Sequence, residues 1–191
     1  MSIEKELNAH IWKREENDHY VEPEWCSFRL FEEEHFPAGI YDPACGFGTI
    51  PKAAIKFGIE GIGSDLVDRG YDKAWKNNYN FLSESIIGRI ENIVTNPPFD
   101  LASNFALKAL SLAANKVAII FPVARLNAAH HWIKGTPLKT VWLMTPRPSM
   151  PPGYIIARGE KPGGGKMDYC WLVWDQNYKG NPELKWLRRD K

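Results

Sequence analysis

The stretch "IYDPACGFGTIPKAAIKFGIEGIGSD", residues 40–65, runs from an apolar pair through a glycine-rich turn and a helix-forming segment to a second short strand that stops on an acid. Ile40-Tyr41 reads as a short buried strand. Thr49 is placed to cap the following helix, at about residues 50–57, and Pro51 lies in its first turn, where a missing N–H costs nothing. Gly58 follows that helix, and Glu60 to Ser64 forms the next strand, ending at Asp65. Farther along, Glu91 to Thr95 is another strand, residues 102–114 an Ala- and Leu-rich helix, and Val117 to Phe121 a continuously apolar strand. Such strands alternating with helices predict an α/β fold whose parallel sheet is covered on both faces.

On the N-terminal side, residues 3–19 are expected to form a polar helical arm, and a second helix is predicted over about 23–34, with Trp25, Phe28, Leu30 and Phe31 on its apolar side. A helix is also expected within 68–79, and Asn80-Phe81-Leu82 as an edge strand. Residues 139–144 and 168–174 are strand-like with no helical pattern between them, which predicts an antiparallel pair at one edge of the sheet. The connection between them, residues 146–166, is rich in Pro and Gly, with Tyr154 to Ala157 as a short extra strand. The last six residues, from Trp186, read as a basic helix or a tail. The expected organisation is therefore an arm at 1–20 and one domain at 21–191.

The chain has 191 residues, enough for one large core, with 44% apolar and 25% charged residues. No apolar run is long enough to span a membrane, and the N-terminus lacks the apolar region of a secretory signal. Cys26, Cys45 and Cys170 stand apart without CxxC spacing, which points to a reducing setting and no structural zinc. His130 and His131 are adjacent and diverge on a helix, so no metal site is expected. Net charge is +1, yet residues 1–100 carry 10 basic and 18 acidic side chains while 101–191 carry 14 and 5. That polarity suits a polyanion-binding face, and equally an intramolecular or dimer contact.

Asp42-Pro43-Ala44-Cys45-Gly46-Phe47-Gly48 lies between a strand and a helix, where Gly46 and Gly48 permit positive φ and close approach to a ligand. It is neither a nucleotide P-loop nor a GxGxxG turn, and an acid ahead of the glycines is ill placed for a pyrophosphate. It suits a ligand with a positively charged part. Asp65, 17 residues beyond Gly48 at the next strand end, is placed to accept ribose hydroxyls. Asn96-Pro97-Pro98-Phe99 then follows the Glu91–Thr95 strand.

This ordered pair of motifs, separated by 47 residues, resembles the amino-group methyltransferases that use S-adenosylmethionine, and among them the N6-adenine DNA methyltransferases. Thr95-Asn-Pro-Pro-Phe-x-Leu-Ala102, Phe105-x-x-x-Ala109-Leu110 and Tyr169-x-Trp171-x-Val173-Trp174-Asp175 are similar to short phage- and prophage-encoded members. The resemblance covers roughly residues 20–187. It implies a Rossmann-like class I methyltransferase fold with a seven-stranded, mostly parallel sheet and an antiparallel edge strand. It also implies a cytoplasmic protein of phage or prophage origin.

The resemblance further implies roles. Asp42 would face the cofactor's ammonium, the backbone from Pro43 through Gly48 its methionine end, and Asp65 its ribose. The segment Val21–Leu30 would close over the methionine part, with Pro23 and Trp25 as cofactor neighbours, and Asn80 would stand where many relatives place an acid against the adenine ring. The Asn96 side-chain oxygen and the Pro97 carbonyl would accept both N–H bonds of an exocyclic amine, favouring a pyramidal nitrogen with its lone pair free. Pro97 and Pro98 would hold that turn rigid, and Phe99, a Tyr in many relatives, would stack on the base. Cys45 is a small space-filler within the loop, since no Pro-Cys pair supports a cysteine nucleophile.

Arg125, His130, Lys134, Arg147, Arg158, Lys161 and Lys166 are the candidate phosphate contacts. DNA is the expected partner, with RNA or a protein glutamine amide as alternative acceptors. The 146–166 loop is too short to be a full target-recognition domain, so site specificity would be weak or supplied by a separate partner, and a homodimer is the other expected assembly. A non-catalytic binding module that kept the fold is the competing class.

Overall fold

The computed structural model describes residues 19–86, 88–160 and 163–190. The expected N-terminal arm lies, apart from its last two residues, outside the described residues, as does Lys161. In chain order the elements are α1 (Glu24–Glu33), β1 (Ile40–Asp42), α2 (Thr49–Lys56), β2 (Gly61–Ser64), β3 (Ala74–Lys76) and β4 (Ile90–Thr95). They continue with α3 (Ala102–Leu112), β5 (Ala113–Pro122), α4 (Leu126–Ile133), β6 (Leu138–Thr145), α5 (Gly153–Ala157), β7 (Tyr169–Asp175) and β8 (Glu183–Arg188).

The strands form one sheet in the order β3-β2-β1-β4-β5-β7-β6-β8. All neighbours are parallel except β7, which runs antiparallel to both β5 and β6. The α/β class, the mostly parallel sheet and the antiparallel β6/β7 pair match the sequence expectation. The sheet has eight strands where seven were expected, because the C-terminal tail is a strand and not a helix. β8 pairs with β6 from Thr140↔Glu183 to Thr145↔Arg188, satisfying an edge that would otherwise be bare, and Leu187 anchors it in the core.

Strand alternation sends residues to two cores. Val94, Ala118, Ile120, Trp171 and Val173 meet α1 and α2 through Leu30, Phe31, Ile50 and Ala54. Ile93, Val117, Ile119, Leu172 and Trp174 meet α3 and α4 through Phe105, Ala109 and Ala129. The two-residue period of a strand buried on both faces explains why β5 reads as continuously apolar. Trp171 also donates its indole N–H to the Cys26 carbonyl at 3.0 Å, tying α1 to the sheet.

Three local expectations fail for identifiable reasons. Residues 68–79 hold turns and the short β3, not a helix. Gly70 takes φ +80°, its N–H is accepted by the Asp68 side chain, and Asn78 lies at φ +55°. Asn80 to Leu82 is a turn, closed by the Leu82 N–H on the Asn80 side-chain oxygen at 3.0 Å, and not an edge strand. Tyr154 to Ala157 belongs to α5, which starts directly after Pro152.

The cross-half charge polarity is partly satisfied internally. Lys116 pairs with Glu34 at 2.7 Å in a nearly buried site, where Glu34 also accepts the Trp142 indole N–H at 3.1 Å. Arg125 pairs with Asp100 at 2.8 Å on the surface.

Gly61 lets α2 lie directly on β2, since a Cβ there would come within 2.6 Å of the Pro51 carbonyl oxygen. Gly61→Ala is expected to lower unfolding free energy by about 1–3 kcal/mol through overpacking against backbone that cannot yield. Urea denaturation of the two proteins measures the difference.

Candidate active site

β1 and β4 are neighbours at the sheet's centre, and the chain continues from them toward opposite edges. Loops leaving their carboxyl ends therefore diverge and open a crevice, the usual ligand position in such sheets. A cleft of about 490 Å³ lies here, walled by residues 19–22, 42–47, 79–82, and by Asp65, Arg69, Asn96 and Pro98 among others. Of the residues singled out in the sequence, Asp42, Pro43, Ala44, Cys45, Gly46, Asp65, Asn80, Asn96 and Pro98 line this cleft together.

The loop after β1 is held from within and from β2. Asp42 is 1% exposed and accepts the Ala44 N–H at 3.1 Å. The Asp65 carboxylate accepts the Gly46 N–H at 2.8 Å and the Val67 N–H at 2.9 Å. Asp65 therefore shapes the loop in addition to facing the cleft. Gly46, at φ +53°, lies under the His19 ring, and a Cβ there would meet the imidazole at 2.5 Å.

Some predicted neighbours do not line the cleft. Gly48, at φ +77°, packs under the Tyr71 ring and caps α2. Pro23 caps α1, and Trp25 packs on the core, since the helix turns its apolar side inward. Pro97 is buried behind the loop. Phe99 is half-buried against the core with Tyr169, ring centroids 5.6 Å apart, beside the cleft and not in its wall.

The segment that does close over the cleft, His19 to Glu22, overlaps the expected stretch Val21–Leu30 only at its first two residues. It is strapped to the Pro-rich loop after β6: the Val21 N–H bonds the Pro151 carbonyl at 2.9 Å, and the Gly153 N–H bonds the His19 carbonyl at 3.0 Å. Glu22 was missed by sequence reading. Its only local signal is an acid directly before the Pro that opens a helix. The Asn96 side-chain NH2 donates to the Tyr20 carbonyl and to the Glu22 carboxylate, each at 2.8 Å. The Asn96 Oδ1 is buried and has no hydrogen-bond partner among the described residues.

Burial governs the electrostatics. It pushes the Glu22 carboxyl up to about 7, against the opposing Asn96 bond, and pushes Asp42 well above the usual carboxylate range, with Glu22 and Asp65 adding to it. Burial lowers His19 to about 4, with nearby Arg69 contributing, so its ring is neutral at pH 7. Burial also raises the Cys45 thiol, consistent with packing and not nucleophilic attack. Among the described residues, Arg69 is the one Lys or Arg lining the cleft, against the acids Glu22, Asp42, Asp65 and Asp100. No group of three or more His, Cys, Asp or Glu is gathered for a metal among the described residues.

The basic candidates divide by position. Arg125 follows the carboxyl end of β5, and Arg147, Arg158 and Lys166 lie on the β6–β7 connection that starts at the same rim as the cleft. Arg147 makes two bonds to Asp168, at 2.7 and 3.1 Å, and Arg158 stands over the Tyr154 ring at 5.4 Å. His130 is exposed on α4. Lys134 follows α4 on the way to the start of β6, which carries it to the opposite end of the sheet.

No family model matches the sequence, and no curated protein matches it. Solved structures do share its architecture. The proposed modification subunit of a type I restriction enzyme from Vibrio vulnificus YJ016 aligns over 88% of this chain at 14% identity, TM-score 0.56, with 47% of its own length covered. A proposed class I S-adenosylmethionine-dependent methyltransferase from Listeria monocytogenes aligns over 90% at 11% identity, TM-score 0.57, 66% of it covered. A proposed RNA methyltransferase from Pyrococcus horikoshii aligns over 78% at 14% identity, TM-score 0.58, 81% of it covered. The fold is that of the class I methyltransferases. The chain spans about half the length of the Vibrio protein.

Between pH 4.5 and 7 an unfolded Glu22 is ionised while the folded carboxyl keeps its proton, so this group makes stability fall as pH rises through that window. Glu22→Gln is expected to remove the effect, gaining up to about 3 kcal/mol on wild type from one end of the window to the other. The His19 contribution has the opposite sign and is common to both proteins, so it cancels in the difference between their urea curves at the two pH values.

Proposed function

We propose that this protein transfers a methyl group from S-adenosylmethionine to the exocyclic N6 amine of adenine in DNA. The observation that carries this reading is the buried Asn96 Oδ1, an acceptor without a partner among the described residues, just beyond β4 and beside a cleft rich in carboxyls. A buried acceptor left unpaired is costly, and an incoming N–H would satisfy it. The acid-rich wall fits a cofactor that carries a sulfonium and an ammonium, because a cation offsets the penalty on Asp42.

Bound there, S-adenosylmethionine supplies an electrophilic methyl group. Asp42 would face its ammonium, the loop from Pro43 to Gly46 would approach its methionine end, and Asp65 would reach its ribose while holding Gly46. Asn80 would meet the adenine ring from a turn. Asn96 Oδ1 would accept a hydrogen bond from an amine N–H, keeping the nitrogen lone pair out of the ring system and available for attack. Pro97 and Pro98 hold that geometry before substrate arrives, so little ordering remains to be done. Phe99, half-buried against Tyr169, would offer an aromatic face to an extruded base.

DNA as the acceptor is supported by the likeness to a proposed restriction-system modification subunit and by basic side chains on the rim. The likeness to a proposed RNA methyltransferase favours adenine in RNA as the second reading, with the same amide and the same cleft.

Asn96→Ala is expected to cut kcat about 30- to 1000-fold, or 2–4 kcal/mol, with cofactor affinity nearly unchanged. The measurement is transfer of label from S-adenosylmethionine to DNA, to structured RNA and to protein extract, followed by nucleoside and amino-acid analysis. N6-methyladenine in DNA, lost in the variant, supports the proposal; label confined to RNA or to glutamine replaces the acceptor, and no label in any pool rejects the activity.

DNA binding should weaken linearly in log Kd against log salt. Lys166→Glu together with Arg147→Glu should weaken it about tenfold further at moderate salt while sparing cofactor affinity. Calorimetry with a short duplex across a salt series checks both, and a flat salt plot removes the phosphate contacts.

A further inference from the structure

The Asn96 amide can work only one way round. Flipped by 180° about its last side-chain bond, it would present NH2 to the acceptor amine and oppose donor to donor. Backbone geometry at Asn96 does not choose between the two orientations. The choice is made by the groups behind it: the Tyr20 carbonyl and the Glu22 carboxyl, each 2.8 Å from Nδ2, both of which can only accept unless Glu22 turns its proton inward. Glu22 is 6% exposed, and Asn96 lies 74 residues away in sequence.

We propose that Glu22 is a positioning residue for Asn96, clamping Nδ2 together with the Tyr20 carbonyl so that Oδ1 faces the acceptor amine. The inference rests on the methyl-transfer reading for its consequence in catalysis. Its geometry is independent of that reading. The clamp is carried by the strap at residues 19–22, which is bonded to Pro151 and Gly153, so the orientation of the amide is also tied to the Pro-rich loop after β6. The cost of burying an acid beside Asp42 is then explained by what its oxygen does for Asn96, and the segment acts on the acceptor as well as covering the cofactor cleft.

Hydrogen exchange of the Asn96 side-chain NH2 tests this in the wild-type protein, its resonances assigned by their loss in Asn96→Asp. Both protons are expected to exchange about 10- to 100-fold more slowly than those of an exposed amide. Exchange at the exposed rate overturns the clamp, whether or not any variant folds. Glu22→Met, similar in length without an oxygen, should lose the protection and lower kcat about 10- to 100-fold, while Kd for S-adenosylmethionine moves less than about threefold. Glu22→Gln keeps an acceptor and should stay within about threefold of wild type in both. A large rise in cofactor Kd with kcat unchanged in Glu22→Met would make Glu22 a cofactor contact and overturn the proposal. Failure of Gln to restore kcat would also overturn it. Intact protection in a wild-type protein that labels no pool would reject the methyl-transfer reading while leaving the clamp standing.

Discussion

Two parallel strands lie side by side at the centre of the sheet, and the chain departs from them toward opposite edges. Every feature of the site follows from that reversal between β1 and β4. Loops that leave neighbouring strands in the same direction pack together and close the space above them; loops that diverge leave it open. Asp42 at the end of β1 and Asn96 just beyond β4 are therefore held at one cleft, on separate rigid strands, with a ligand-sized volume between them. The two-sided core fixes the strands, and the bond from the Gly46 N–H to Asp65 fixes the loop between them and β2.

Among the described residues, the cleft gathers more acid than base. Burial raises Glu22 and Asp42, and the lining acids outnumber Arg69, its one described Lys or Arg. A stability-optimised protein would not place these acids together away from bulk water, because each desolvated carboxyl resists ionisation. Lys116 and Glu34 show the contrasting arrangement on the same chain: a charge in a nearly buried site supplied with its counter-ion and an indole N–H. One site is closed electrically and serves the fold, whereas the other, among the described residues, sets four lining acids against Arg69.

The polarity of net charge along the chain resolves into two contributions. Some of it is spent on pairs between the acidic and basic halves, as Lys116 with Glu34 and Arg125 with Asp100. The remainder includes exposed basic residues on the connection between β6 and β7, which rises from the same rim as Asn96. Lys134 belongs to neither group, since α4 carries it away from that rim.

Local chemistry was legible in the sequence. The strand–turn–helix run from Ile40, the positive-φ glycines after Asp42, the acid ending β2 and the Pro-Pro turn after β4 all declare themselves through periodicity and turn residues, which act over a few positions. Sequence alone therefore determined the α/β class and most of the cleft's loops. It misread residues 68–79 and 80–82, where Asp68 and Asn80 side chains bond the backbone and compete with regular structure. It also missed β8, whose strand state depends on the open edge of β6 and not on its own pattern. Tertiary structure alone decided that Gly48, Pro23 and Trp25 turn away from the cleft, and that Glu22 meets Asn96 across 74 residues of chain. A hydrogen bond over that separation leaves no periodic trace, because its two ends are brought together by strand order and not by any local preference of either residue.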